Sequence, residues 1–139
     1  KERTCGELMS TRIVFVSPRD TLEHARELLL RHRLQSLPVL DASRHLRGVL
    51  AQEDVLRQVG WGARLRQLVP AAALRVQDAM QQRVVALGVD APLAQLVPLL
   101  SDRGYHQVAI TGRDGAMVGL VSRSDLVAAL CEQRLDTAA

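Results

Sequence analysis

One stretch of nine residues occurs twice in this chain. Residues 48–56 read Gly-Val-Leu-Ala-Gln-Glu-Asp-Val-Leu, and residues 119–127 read Gly-Leu-Val-Ser-Arg-Ser-Asp-Leu-Val. The two stretches are 71 residues apart, and the same offset pairs Met9 with Met80. Similarity held at one spacing over about fifty residues indicates two copies of one structural unit. Two such copies commonly pack face to face, so we look for binding sites between them.

The composition is typical of a folded domain with an aliphatic core. Of the 139 residues, 47% are hydrophobic and 24% are charged, which argues against disorder. Aromatic residues make up 2%, and so few stacking platforms argue against binding to single-stranded nucleic acid. The net charge is +3 and the arginines are scattered among acidic residues, as on a solvated surface. We therefore expect no nucleic-acid partner.

Several classes of function find no support in the sequence. It contains no H-E-x-x-H motif, no P-loop and no G-x-G-x-x-G after a strand, so we expect neither an enzyme nor a required cofactor. Cys5 and Cys131 lack metal-ligand spacing, which predicts no metal site and a reducing compartment. No apolar run reaches the length of about 18 residues that a membrane span needs. The chain begins at Lys1 instead of Met, so we expect a piece of a longer protein.

Each copy is predicted to form a strand, a helix, two strands and a second helix, which gives an α/β fold. We place copy one at residues 7–60 and copy two at residues 78–131. A linker with a short amphipathic helix is expected at residues 61–77.

Local signals set the expected element boundaries. The β-branched run at residues 13–16 predicts the first strand of copy one. Asp20 is the expected N-cap of the next helix, with Glu23 completing a capping box. In copy two, Pro98 falls in the middle of the corresponding helix at residues 92–103 and is expected to kink it.

The whole pattern resembles a tandem pair of CBS domains, a module named after cystathionine β-synthase. The resemblance covers residues 7–131 and depends on three features. They are the order of elements, the sequence Leu-Pro-Val-Leu-Asp at residues 37–41, and a Gly-h-h-[Ser/Thr]-x-x-Asp motif that opens the last helix of each copy. It implies a CBS-pair fold whose two repeats are related by a pseudo-twofold axis. Copy one departs from the motif, because Ala51 stands where Ser or Thr is expected.

A narrower resemblance involves two short segments. Residues 96–102 and 62–66 look like the cytoplasmic CBS tail of bacterial HPP-family membrane proteins. That family implies an N-terminal membrane domain in the same chain, and a location at the cytoplasmic face of the inner membrane. The His-Pro-Pro motif of its membrane domain is not in these 139 residues.

The repeated motif suits an adenosine phosphate. A hydroxyl at a helix start lies where backbone N–H groups and the helix dipole favour an anion. An aspartate one turn later can accept two hydrogen bonds from a ribose diol, and the glycine lets a ligand approach the backbone. The resemblance implies the same ligands, namely AMP, ADP, ATP or S-adenosylmethionine, with the aspartate on the ribose and the hydroxyl on the phosphate. It also implies that each site borrows residues from the other copy.

Two sites follow, and we rank them. The second site is built on Ser122, Ser124 and Asp125. The resemblance adds to it Met9, Arg12, Val14, Leu34 and Gln35, with His106 nearby. The first site is built on Asp54, and the resemblance adds Met80, Arg83, Val85, Tyr105 and His106. The first site lacks the hydroxyl at Ala51, and Glu53 brings a negative charge that repels a phosphate. We therefore expect the second site to be preferred.

Simpler interpretations stand beside these assignments. A serine and an aspartate at a helix start are also ordinary capping residues. Arg12 and Arg83 could meet a phosphate or only solvent. His106 could face the ligand or lie on the surface, and Tyr105 could stack on adenine or pack in the core.

The sequence as a whole favours a regulatory module that senses adenine nucleotides as part of an HPP-like membrane protein. We expect a homodimer formed through the leucine-rich helical faces. The alternative is a structural dimerisation tail whose ligand sites are both degenerate. A third interpretation is a free-standing protein that binds nucleotide without a membrane partner.

Overall fold

A computed structural model describes residues 3–65, 74–103 and 105–138. The chain alternates helices with short strands, as the α/β prediction requires. One sheet has two strands and the other has three. Among the described residues, no helix combines the length and the apolar character that a bilayer crossing requires.

The chain divides into two compact units that do not coincide with the two sequence copies. The copy-one unit is Val14–Val84, and the copy-two unit combines Lys1–Ile13 with Val85–Ala139. The segment that precedes the first strand of each copy is therefore folded with the other copy. We call these two stretches, residues 3–13 and 76–84, the exchanged segments. The first carries the short helix α1 (Cys5–Leu8) in the copy-two unit, and the second carries α4 (Val76–Ala79) in the copy-one unit.

The copy-one unit is built around an antiparallel hairpin. Its remaining elements are α2 (Leu22–His32), β1 (Ser36–Leu40), β2 (Leu46–Ala51) and α3 (Gln52–Leu65). The strand predicted at residues 13–16 pairs only at Val16, which forms a parallel bridge with Val39. Val16 N donates to Pro38 O at 3.1 Å, but the nitrogen of Pro38 has no hydrogen to extend this ladder toward Val14.

In the copy-two unit the equivalent strand is formed. The elements are β3 (Ala86–Gly88), a 3₁₀ turn (Leu93–Gln95), a π-helical turn (Pro98–Asp102), β4 (Gln107–Thr111), β5 (Met117–Ser122) and α5 (Arg123–Ala138). β3 pairs in parallel with β4, which pairs antiparallel with β5. The predicted helix at residues 92–103 is irregular: the π-helical turn begins at Pro98, and Arg103 N donates to Pro98 O, five residues back, at 3.1 Å.

Contacts of the exchanged segments repeat at the same 71-residue offset as the sequence. Cys5 N donates to Ala91 O at 2.8 Å, and Val76 N donates to Asp20 O at 2.9 Å. Both partners of the second bond are 71 residues from those of the first. The prediction of two equivalent units is therefore confirmed at the level of single hydrogen bonds.

Each unit has its own aliphatic core. Val16, Leu37, Val39 and Leu50 are buried in the copy-one unit. The buried residues of the other core are Cys5, Leu96, Leu100, Val108, Ile110, Val121 and Leu126. The exchanged segments contribute to both cores through Val76 and Cys5.

Two local predictions need correction. The N-cap of α2 is Thr21, whose side chain accepts from His24 N at 3.1 Å, while Asp20 instead accepts from Ser17 N at 2.9 Å. The helix α3 continues to Leu65, so the start of the expected linker helix belongs to α3. Residues 66–73 lie outside the described part of the chain.

Asp41 organises the turn between β1 and β2 and gives stability a dependence on acid pH. Its carboxylate accepts from His45 N at 3.0 Å, Ser43 N at 2.9 Å and Arg47 Nε at 2.8 Å. The bond from His45, helped by Arg47 and Ser43 and opposed by desolvation, holds the pKa of Asp41 below its ordinary value. Because the folded pKa is the lower one, the stabilisation exists above the unfolded value of about 3.9 and disappears as the pH falls through the folded value.

We expect Asp41→Asn to unfold at lower urea concentration than the parent at neutral pH, and at nearly the same concentration in strongly acidic buffer. Urea titrations of both proteins across this pH range measure the difference. A gap that widens on acidification would contradict the assignment.

Candidate functional site

The start of α5 carries the best-formed part of the predicted second site. Asp125 Oδ2 accepts from Ser122 N at 2.9 Å, and Ser122 Oγ accepts from Asp125 N at 3.3 Å. This reciprocal pair is a capping box, so both residues do cap the helix. Among the described residues, none donates a hydrogen bond to Asp125 Oδ1. Asp125 is half-buried and Ser124 is exposed, which leaves one carboxylate oxygen and one hydroxyl for a ligand.

The aspartate of the first site has a different environment. Asp54 Oδ2 accepts from Ala51 N at 2.8 Å, while Oδ1 accepts from both Arg57, at 2.9 Å, and Gln81, at 3.1 Å. Its side chain is 1% exposed. Both oxygens are therefore already engaged by the protein.

The two motif glycines serve backbone packing, which corrects the expectation that they admit a ligand. A Cβ on Gly48 would lie 2.7 Å from Gln81 O, and one on Gly119 would lie 2.9 Å from Ser10 O. Met80 and Met9 press on the same two positions. Only glycine allows an exchanged segment to approach β2 or β5 this closely.

The exchanged segments also fix where the borrowed residues lie. Ser10 N and O bond with Leu120 O and N at 2.8 and 2.9 Å in an antiparallel bridge. In this direction each step from Ser10 toward Arg12 leads away from Ser122. Met9 therefore lies on the α5 side of this bridge, with its Sδ against Gly119, whereas Arg12 follows on the side away from α5. Arg12 and Arg83 are exposed, and neither forms an ion pair with a described residue.

The remaining predicted residues belong to one unit each. Val14, Leu34 and Gln35 lie in the copy-one unit, where Val14 and Leu34 pack against its core. Val85, Tyr105 and His106 lie in the copy-two unit, where Val85 and Tyr105 pack against the other core and His106 is exposed. Tyr105 thus shows the core packing that was one of the two roles expected for it, and stacking on adenine stays the other. The assignment of each of these residues to a site built on the opposite copy stays a prediction.

Sequence reasoning missed Arg57 and Gln81, the two donors to Asp54. A signal for them was present, because both interrupt the repeat. The residues 71 positions away are Ala128 and Ser10, neither of which matches them in size or chemistry. Within the described residues, no group of three His, Cys, Asp or Glu side chains could hold a metal ion.

Comparison with known proteins decides the family. Residues 5–60 and 76–132 match the CBS domain, which accounts for most of the chain. The chain belongs to the CBS domain family. Its fold is that of a CBS pair, in agreement with the two repeats seen in the sequence and in the hydrogen bonds.

Similar proteins support the same fold. The CBS-pair protein CBSX2 of Arabidopsis thaliana, solved in complex with AMP, is 23% identical, with a TM-score of 0.81 over 95% of this chain and 98% of its own. A CBS pair solved with 5′-methylthioadenosine and S-adenosyl-L-methionine is 15% identical, with a TM-score of 0.76 over 96% of this chain and 99% of its own.

One curated relative is a 17.7 kDa protein of Acidianus ambivalens, 23% identical over 91% of this chain and 73% of its own length. The chain spans between 13% and 60% of the length of other curated relatives. In those proteins the region that matches this chain is one part of a longer polypeptide.

Proposed function

We propose that this CBS pair is a regulatory module that binds an adenine nucleotide or S-adenosylmethionine at the start of α5. The observation that carries the proposal is Asp125 Oδ1, to which no described residue donates a hydrogen bond, at a helix start that also carries the hydroxyls of Ser122 and Ser124. A carboxylate oxygen can accept from a ribose diol, and a helix start favours a phosphate. CBS pairs of similar fold have been solved with AMP and with S-adenosyl-L-methionine, which supports the same ligand class here.

The ligand would act through the N-terminal exchanged segment. This segment is seated on β5 through Ser10 and Met9, next to the proposed site. A ligand that contacts both α5 and Met9 favours the seated state and shifts the population toward it. A domain attached to this segment would sense whether the segment is seated, and the seating would report the ligand to that domain. In this role the module itself catalyses no reaction.

We further propose that the attached domain is the membrane domain of an HPP-like protein, with the CBS pair at the cytoplasmic face of the inner membrane. The resemblance of residues 96–102 and 62–66 to HPP-family tails supports this assignment. The gene sequence upstream of Lys1 tests it directly. An upstream region without a His-Pro-Pro membrane domain would favour a free-standing nucleotide-binding protein.

A panel of ligands in a thermal-shift assay tests the proposed function. A nucleotide at about 100 times its dissociation constant stabilises the folded state by roughly 2.7 kcal/mol, which raises the melting temperature of a domain of this size by several degrees. We expect this shift with AMP, ADP, ATP or S-adenosylmethionine. Inorganic phosphate at equal ionic strength is the control. If no adenosine compound moves the melt at millimolar concentration, the chain is better described as a structural tail.

Dimerisation is a separate expectation. Leu56 on α3 and Val127 on α5 occupy equivalent positions 71 residues apart, and they are 68% and 58% exposed. Large apolar side chains this exposed at both positions favour burial against a second copy, with an interface of about 1,600 Å². We expect light scattering to give a dimer and the double variant Leu56→Glu/Val127→Glu to give a monomer. Leu30→Glu, at a comparably exposed position on α2, is the control. A monomeric parent at high micromolar concentration would contradict the proposal.

A further inference from the structure

Copy one retains the motif aspartate, Asp54, but other residues of the protein already donate hydrogen bonds to both of its carboxylate oxygens. Arg57 and Gln81 both donate to Asp54 Oδ1, while Ala51 N holds Oδ2. An ionised carboxylate offers about four lone-pair sites, and three of those on Asp54 are used. The side chain is almost completely buried, so a ribose could reach Oδ1 only by displacing one of these donors.

Gln81 is held in place by more than its side chain. Gln81 N and O bond with Val49 O and N, both at 2.9 Å, which fixes its backbone against β2. Gly48 allows this close approach. Because the backbone is fixed on both sides, the Gln81 amide is already positioned at Asp54, and a ligand would have to compete with an intramolecular donor.

The equivalent carboxylate in copy two has neither donor. The residue 71 positions after Arg57 is Ala128, which has no polar side chain, and the residue 71 positions before Gln81 is Ser10. No described residue donates to Asp125 Oδ1. The two copies therefore share the backbone arrangement and differ in the groups that surround the aspartate.

We propose that Arg57 and Gln81 take the place of the ribose diol in copy one. They close the site on Asp54 and limit the chain to one nucleotide, bound at Asp125. The stoichiometry rests on the proposed function, whereas the closure of copy one by these two side chains can be tested separately. In this arrangement Asp54 is a structural residue that joins α3 to the exchanged segment carrying Gln81.

The residues of copy two at the equivalent positions indicate which substitutions should open the site in copy one. The variant Ala51→Ser/Glu53→Ser/Arg57→Ala/Gln81→Ser gives copy one the residues that copy two carries at the equivalent positions. Isothermal titration of the 139-residue chain with AMP should give one site per chain in the parent and two in this variant. Adding Asp54→Ala to the variant should remove the gained site, and adding Asp125→Ala should remove the other. The pair Ala51→Ser/Glu53→Ser, with both donors intact, should still bind one AMP.

The outcomes separate the two proposals. A parent that binds two AMP molecules, one of them lost with Asp54→Ala, overturns the closure of copy one. A parent that binds none overturns the proposed function, and the four-residue variant then decides the closure: one gained site supports it, and no gain overturns it.

A second measurement does not depend on the fold of the variants. In ¹⁵N-resolved spectra of the parent saturated with AMP, the Gln81 side-chain amide should keep its chemical shift while resonances of Ser122 and Asp125 move. A shift of the Gln81 amide comparable to theirs would show ligand at Asp54 and overturn the inference.

Discussion

Asp125→Ala should weaken the binding of an adenine nucleotide by about ten- to a hundredfold. The substitution removes the Oδ1 acceptor proposed for the ribose, and hydrogen bonds to a charged group contribute about 1.5–3 kcal/mol, with each 1.4 kcal/mol equal to about a factor of ten. Isothermal titration of parent and variant with the same nucleotide measures the change. The variant also loses half of the capping box with Ser122, so its fold must be verified by circular dichroism.

Two other variants serve as controls for this prediction. Asp90→Ala removes an exposed carboxylate whose only ion-pair partner among the described residues is Arg113, at 3.7 Å, and should leave the affinity unchanged. Asp54→Ala should affect binding less than Asp125→Ala, because Asp54 is engaged by Arg57 and Gln81 and lies beside Ala51 and Glu53. If Asp54→Ala abolishes binding and Asp125→Ala does not, the two sites are ranked in the wrong order.

Gly48→Ala should lower the free energy of unfolding by about 1–3 kcal/mol, the range for adding atoms where no space exists. The new Cβ would lie 2.7 Å from Gln81 O and 2.8 Å from Met80 Sδ. The methionine side chain can move, but the Gln81 carbonyl is fixed by its bond to Val49 N. The exchanged segment must therefore separate from β2, and urea unfolding monitored by circular dichroism should show the loss.

Gly88→Ala is the matched control. Gly88 also lies in a short strand, and a Cβ there meets no described atom within 4 Å. Replacing glycine where the backbone tolerates alanine restricts the unfolded chain, so this variant should be as stable as the parent or slightly more stable. Equal destabilisation by Gly48→Ala and Gly88→Ala would mean that loss of glycine flexibility, and not the clash with the exchanged segment, causes the effect.

Hydrophobic patterns identified most of the secondary structure, and their failures have physical causes. The start of α5 could be predicted because the repeated motif there is also a capping box, and the hydrogen bonds between Ser122 and Asp125 span only three residues of sequence. The first strand of copy one was overestimated because its partner strand contains Pro38, whose missing N–H matters only once the two strands are adjacent. The N-cap of α2 is Thr21 and not Asp20, because Asp20 O accepts a hydrogen bond from Val76 N and the Asp20 carboxylate accepts one from Ser17 N. No local pattern near residue 20 contains information about residue 76.

The sequence by itself determined that this chain contains two copies of one structural unit, since a 71-residue repeat requires two equivalent backbones, and the motifs within the repeat carried the resemblance to CBS domains. It also located the aspartate of each copy, because a helix cap is a local feature. Only the tertiary structure decided that the segment before each copy folds with the other one. That exchange places Gln81 against Asp54 across 27 residues of sequence, whereas no residue in the described part of the chain donates to Asp125 Oδ1. Two aspartates in the same local motif therefore differ in their free hydrogen-bonding capacity, because that capacity is set by side chains brought close through folding and not by their neighbours in the sequence.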